Sequence, residues 1–354
     1  MGRKRYCDYL RIFATFAVVV LHVAAANWHI PDVNGPEWAA FNFYDSIVRW
    51  GVPVFVMISG SLFLERDIPV KKIYSKYILR MAAAFIFWTL FYMLMTPDIF
   101  ADGIISGLKA HIETIVSGHY HMWFVLMIIG IYMCIPIIKK IVSDEKTTKY
   151  FLVLSFVFAF LIPWLIQIIN DFAAYKSEGA TRLVGAVNAN ITTMGMQMVL
   201  GYSFYFVLGY YLDHKEIEKK YRSIVYIIGV AGFAFTITAD LLVALRTQQC
   251  FGSYYDNFTV NVLCEAVAVH TLFRYHKFRS RKLNRFAAVL SKYGFGAYLI
   301  HAFFIEKLSA VFHLNTLSFN AFVSVPAISV LVFLLAFCTS AVLNQIPIIK
   351  TYIV

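Results

Sequence analysis

Apolar residues in this chain run in long unbroken stretches, without the period-2 or period-3.6 stripes that mark half-buried elements of a water-soluble fold. Ten such stretches fall near 9–28, 42–64, 77–96, 121–138, 149–169, 194–212, 223–244, 254–273, 288–312 and 322–345. Most approach or exceed the ~20 residues that carry a helix through a ~30 Å hydrocarbon layer. Backbone in lipid must satisfy its own hydrogen bonds, so each is predicted helical. The expected fold is an all-α integral membrane protein of about ten transmembrane helices, a single domain over 1–354. Two outer loops, near 97–120 and 170–193, are long, yet neither has room for a folded domain.

The order of the charges orients this array. Arg3, Lys4, Arg5 and Arg11 precede or open the first stretch. The second, fourth, sixth and eighth loops are basic, holding Lys71, Lys72 and Lys76, then Lys139 and Lys140, then Lys219 and Lys220, then Arg279, Arg281 and Lys282. The alternate loops hold few cations: Lys109, Lys176, Arg182 and Arg246. Basic loops stay cytoplasmic, which places both termini inside and agrees with an even number of crossings.

Composition supports the same picture. Of 354 residues 60% are hydrophobic and 14% charged, against roughly 25% charged in soluble domains. The net charge of +11 would suggest nucleic acid on a soluble protein. Its confinement to alternate loops assigns it to topology, and no nucleic-acid partner is expected. Five cysteines, at 7, 134, 250, 264 and 338, show no metal-binding spacing and read as reduced thiols. The first stretch follows basic residues and is long, so it reads as a retained signal anchor. Asn190-Ile-Thr192 and Asn257-Phe-Thr259 match glycosylation sequons, which recur by chance and carry no argument.

Ionisable groups inside a membrane are expensive and commonly mark function. The first helix carries Arg11 and His22, eleven positions apart. At ~100° and ~1.5 Å per residue they share a face and lie ~16 Å apart along the axis. A guanidinium at the inner mouth suits an anionic head, and a deeper neutral imidazole suits a base for a hydroxyl. The same pair also fits a plain interfacial anchor and a hydrogen-bonded packing histidine. Arg49 precedes Gly51-Val52-Pro53, where the proline is expected to open the second helix. His119 and His121 open the fourth helix at i, i+2; a shared metal there would need a non-helical start, and no metal is expected. Glu265, His270, His301 and Glu306 lie within the eighth and ninth helices, and buried Glu265 needs a partner such as Arg49 or Arg246.

At these residues the chain resembles the membrane acyltransferase-3 family, of the glycan O-acyltransferase type. The resemblance rests on YLRIFATFAVVVLHV with Arg11 and His22, on RWGVPVFVMISGSLFL, and on SKYILRMAAAFIFW. HMWFVLMIIGIYMCIPII, FYFVLGYYL and FGAYLIH follow in order, so it spans nearly the whole chain. It implies that acyl-CoA, acetyl-CoA first among the candidates, donates an acyl group to a hydroxyl of a cell-surface or lipid-linked glycan. His22 then matches the essential histidine and Arg11 its basic partner. Arg49 and His121 match further motif positions, and the second loop with Lys76 and Arg80 would meet the CoA phosphates. Arg49, His121, Lys76, Arg80, Glu265 and His301 are thus the wider binding candidates. Some members carry a C-terminal SGNH-type hydrolase domain. This sequence ends at Val354, so it is expected to work alone or with a separate extracytoplasmic protein. The competing readings are a polytopic transporter or exporter of a glycan or its precursor, and a scaffolding subunit of glycan machinery.

Overall fold

The computed structural model describes residues 3–95, 116–173 and 201–354, with positions 182, 185–187, 189–190 and 193–194 between them. No strand occurs among these residues. The helices are α1 (Arg5–Ala25), α2 (Pro36–Ser46), α3 (Gly51–Phe63), α4 (Val70–Leu94), α5 (Trp123–Val142) and α6 (Glu145–Phe172). Then follow α7 (Ser203–His214), α8 (Lys219–Thr247), α9 (Val260–Tyr275), α10 (Arg281–Phe312), α11 (Ala321–Leu343) and the short α12 (Pro347–Tyr352).

Every one of the ten apolar stretches contains helix. Eight spans among the described residues are long and apolar enough to cross a membrane, with α2 and α3 counted as one span. The protein is therefore a multi-pass membrane protein. The other two stretches correspond to α7 and α9, of 12 and 16 residues. Both are shorter than the ~20 residues of a full crossing. Residues 195–200, the start of the stretch leading into α7, lie outside the described residues, as do most of the two long outer loops and positions 191 and 192 of the first sequon. Asn257 of the second donates its side-chain amide to the Tyr202 hydroxyl at 2.9 Å.

The second stretch breaks as its proline requires. The backbone leaves regular helix at 47–50 and restarts at Gly51, which puts Pro53 in the first turn of α3, where a missing N–H costs least. α6 starts on an aspartate cap: the Asp144 side chain accepts from the Thr147 N–H at 2.7 Å and from its hydroxyl at 2.8 Å. These two donors hold the Asp144 carboxyl below its ordinary pKa.

Apolar burial gives little net drive between helices already in lipid, so association depends on close packing and interhelical hydrogen bonds. α3 and α7 illustrate both. A Cβ on Gly60 would collide with the backbone of Phe206, and one on Gly209 with the backbone of Met57. The closeness of the backbones lets the Ser61 hydroxyl donate across the interface to the Gly209 carbonyl at 2.9 Å.

α1 is the central helix, packing on α2, α3, α9, α10 and α11. It runs alongside α10 in the same direction: Gly294 lies next to Arg11, and His301 next to His22. The basic loops gather at one end of the bundle. There Lys4 bridges Glu65 at 2.7 Å and also contacts Asp213, while Arg274 donates to the Asp213 carbonyl at 2.8 Å. At the same end Lys215 reaches Glu145 at 2.6 Å, and Lys139 reaches Asp67 at 3.0 Å. This clustering is what alternate loops on one membrane face require.

Candidate functional site

Along α1 the side chains facing α10 meet first a polar vestibule, then an apolar cavity, then a cluster of histidines. The vestibule is lined by Arg3, Lys4, Asp8, Arg11, Leu62, Glu65 and Arg66. Four cations there face two carboxylates, leaving an excess of positive charge. Arg3 grips Asp8 with two donors, at 2.7 and 2.9 Å, and that hydrogen bonding raises its pKa. Burial opposes the Lys4 ammonium, but its bonds to Asp213 and Glu65 outweigh it and raise the Lys4 pKa. Arg11 and Arg66 make no ion pair among the described residues.

Arg11 and Leu62 also line the next compartment, a cavity of about 290 Å³ between α1, α3, α4, α5 and α10. Its walls are mostly apolar and aromatic, among them Phe55, Phe63, Phe124, Phe295 and Tyr298. Ser59, Tyr132 and Arg80 supply polar groups. Ile73–Ile78, a wide π-type turn inside α4, precedes Arg80. Such turns shift the phase of the side chains that follow. The Arg80 guanidinium donates to the Val354 carbonyl and lies 5.8 Å from the Phe295 ring centre. Gly294, the glycine nearest Arg11, has Cβ space bounded by Thr15 at 3.3 Å, so a larger residue would press on this wall.

The cavity ends against Val18 and Tyr298, one helical turn before His22 and His301. There the hydrogen bonds have a fixed order. His301 Nδ1 lies 2.5 Å from the Tyr298 carbonyl, which only accepts, so this nitrogen carries the hydrogen. His301 Nε2 is then an acceptor, and His22 Nδ1 donates to it at 3.0 Å, sharing the hydrogen with the Val18 carbonyl, also at 3.0 Å. In the neutral ring this leaves the lone pair on His22 Nε2. His22 is half-buried and His301 fully buried.

His121 adjoins the pair, its ring centre 6.4 Å from His22 and 5.1 Å from His301. Its Nε2 donates to the Leu299 carbonyl at 3.2 Å, so its Nδ1 accepts from His119 Nδ1 at 3.0 Å. His119 Nε2 lies 3.0 Å from Glu306 and its ring stacks on Tyr92 at 4.0 Å. The Tyr298 hydroxyl donates to the His121 carbonyl. Residues 119–122 form turns before α5 begins, which lets His119 and His121 face one cluster despite their i, i+2 spacing. Gly118 enables that turn with φ +75°, and a Cβ there would sit 2.7 Å from the Phe85 ring. Among the described residues no three His, Cys, Asp or Glu side chains are arranged to hold a metal.

Of the residues singled out from the sequence, His22, His121 and His301 thus meet at one point, and Arg11 and Arg80 line the cavity below. Three others sit apart. Arg49 pairs with Asp45 one turn earlier and lies 4.1 Å over the Tyr255 ring. Glu265 is buried between α8 and α9, where the Thr236 hydroxyl donates to it at 2.6 Å, so its hydrogen-bond partner is Thr236 and not Arg49 or Arg246. Lys76 is exposed and lines neither compartment, while its neighbour Tyr77 and Arg80 line the cavity. His119, Tyr120, Tyr298 and Glu306 complete the cluster. The sequence analysis singles out His119 and Glu306; for Tyr120 and Tyr298 the sequence signal is the density of His and Tyr in GHYHMW and YLIH, which does not reveal that the two segments touch.

Residues 4–343 match the family described as an acyltransferase domain, of acyltransferase-3 type. Among curated proteins, a "Probable poly-beta-1,6-N-acetyl-D-glucosamine export protein" of Staphylococcus aureus (strain MSSA476) is 22% identical over 327 residues, covering 88% of this chain and 86% of that protein. The namesake from Staphylococcus aureus (strain MRSA252) is 23% identical over the same coverage. No solved structure matches the chain.

Proposed function

The chain belongs to the acyltransferase-3 family of multi-pass membrane proteins, and from that premise we propose that it moves an acyl group, acetyl in the simplest case, from cytoplasmic acyl-CoA to a glycan hydroxyl, with His22 as general base. The relatives' names suggest an amino-sugar polymer as the glycan. The observation that carries the reading is the hydrogen-bond order at His22, which leaves Nε2 free to accept a proton just beyond the Val18–Tyr298 end of an apolar cavity.

In this mechanism the CoA phosphates occupy the vestibule, paired with Arg11 and Arg66. Guanidinium groups suit phosphate through charge-assisted, two-pronged hydrogen bonds. The pantetheine arm lies along the aromatic walls, with the thioester toward Val18 and Tyr298. His22 Nε2 takes the acceptor's hydroxyl proton as its oxygen attacks the thioester carbon. The C–S bond then breaks, the thiolate takes up the proton held by His22, which returns the ring to its neutral form, and the free thiol leaves toward the vestibule. General-base assistance of this kind contributes roughly 10²- to 10⁴-fold.

Purified protein in detergent, given labelled acetyl-CoA and a glycan acceptor, tests the reading. His22→Ala is expected to stay folded and to lose transfer by at least about 10²-fold. Normal acylation by that variant would end the catalytic assignment. Arg11→Ala is expected to weaken acyl-CoA binding about tenfold, the scale of one charge-assisted hydrogen bond; unchanged affinity would remove Arg11 from the donor site.

The relatives' export names favour a second reading, in which the protein moves a glycan or its precursor across the membrane. The same assay separates the two, since a pure exporter would leave acetyl-CoA intact.

A further inference from the structure

We infer that the acceptor glycan docks in a separate pocket beyond the His22–His301 pair, on the side opposite the donor cavity; this rests on the transferase reading above. That pocket has a volume of about 360 Å³ and is built from the end of α1 and the turn after it, the last turns of α10, the loop after α10 and Ile328 of α11. It begins at Val23 and Ala26, just after His22, and at Ile305 and Glu306, one turn after His301. The donor cavity stops at Val18 and Tyr298, just before them. Two compartments thus lie on either side of the same pair of imidazoles along parallel helices. A base between two substrates needs this arrangement.

The lining identifies the class of ligand. Asn27, Ser309, Asn315 and Thr316 present amides and hydroxyls. Asn27 donates to the Thr316 hydroxyl at 2.8 Å, and Thr316 is buried, so this polar wall is already ordered. The Asn315 side-chain oxygen accepts from the Leu317 N–H at 2.9 Å, which leaves its NH₂ for a ligand. Val23, Ile305, Leu314 and Ile328 supply apolar lining. One carboxylate enters, from Glu306, with His119 Nε2 3.0 Å from it. Neutral hydrogen-bonding groups combined with apolar lining match an uncharged sugar ring, which has hydroxyls at its rim and a C–H face. The volume falls within the ~300–1,000 Å³ of small-molecule sites.

Binding of a β-1,6-linked N-acetylglucosamine oligosaccharide to the full chain in detergent, followed by calorimetry, tests the pocket without relying on catalysis. Ala310→Trp fills the pocket from an exposed position of α10, and Thr316→Val removes the ordered hydroxyl at nearly constant volume. Both are expected to weaken oligosaccharide binding, by at least tenfold and by about fivefold respectively, the scale of lost space and one hydrogen bond. Thr316→Ser should restore it, and acyl-CoA affinity should not change in any of the three, which also reports that they fold. Oligosaccharide binding equal in the parent and Ala310→Trp, or absent from the parent, overturns the proposal. Pocket-dependent binding in a protein that never turns over acetyl-CoA would leave the glycan site standing and remove the donor reading.

Discussion

His22 owes its chemistry to its neighbours. A histidine in a membrane helix can bind, pack or shuttle protons, and the hydrogen-bond partner of one nitrogen decides what the other can do. Here the Tyr298 carbonyl fixes the His301 tautomer, and the Val18 carbonyl and His301 together fix that of His22 and orient its ring. In the proposed mechanism His301 is a positioning residue. His301→Leu is expected to lower kcat by about tenfold to a hundredfold, at the low end of general-base effects, with little change in the donor KM. His301→Gln keeps an acceptor for His22 Nδ1 and should recover much of that loss. The pH profile of kcat/KM should move in the leucine variant and stay near the parent's in the glutamine variant. Equal rates for all three would show that His301 only packs.

Individual helices supply the scaffold through small residues. The α3–α7 contact depends on Gly60 and Gly209, where an added methyl would meet backbone, which cannot rotate away. Gly60→Ala is therefore expected to cost about 1–3 kcal/mol, the range for overpacked sites. Thermal unfolding in detergent should report this as a lower midpoint, while Gly130→Ala, whose Cβ position is open, should leave it unchanged. A Gly60→Ala protein as stable as its parent would mean that α3 and α7 separate easily. The broken second span shows a related economy. Pro53 forces a restart, and the resulting turn holds Arg49 against Asp45 and Tyr255.

Across the whole molecule, the proposed direction of transfer depends on which face of the membrane the vestibule meets. The ion pairs join the basic loops at one end, and the positive-inside rule predicts that this end faces the cytoplasm. Single cysteines in a cysteine-free background can check the assignment. A membrane-impermeant maleimide added to intact cells is expected to label Gln249→Cys, in the loop after α8, and to spare Ser143→Cys, between α5 and α6. The reverse pattern would put the donor vestibule outside, where acyl-CoA is absent.

The sequence by itself determined the membrane residence, the positions of the helical stretches and the facing of Arg11 and His22. Each of these follows from local physics: hydrocarbon thickness, obligatory backbone hydrogen bonds and the angular period of one helix. It also exposed the break before Pro53, because a missing N–H is a property of one residue. The tertiary structure alone decided that His301 and His121 meet His22, that Thr236 and not an arginine serves Glu265, and that Lys76 stays off the cavity. These outcomes depend on helix pairings between residues up to 279 positions apart and on a π-type turn that rephases α4. Nearly every surface of such helices is apolar, so hydrophobic pattern ceases to say which face meets which neighbour, and steric fit between small residues takes over that decision.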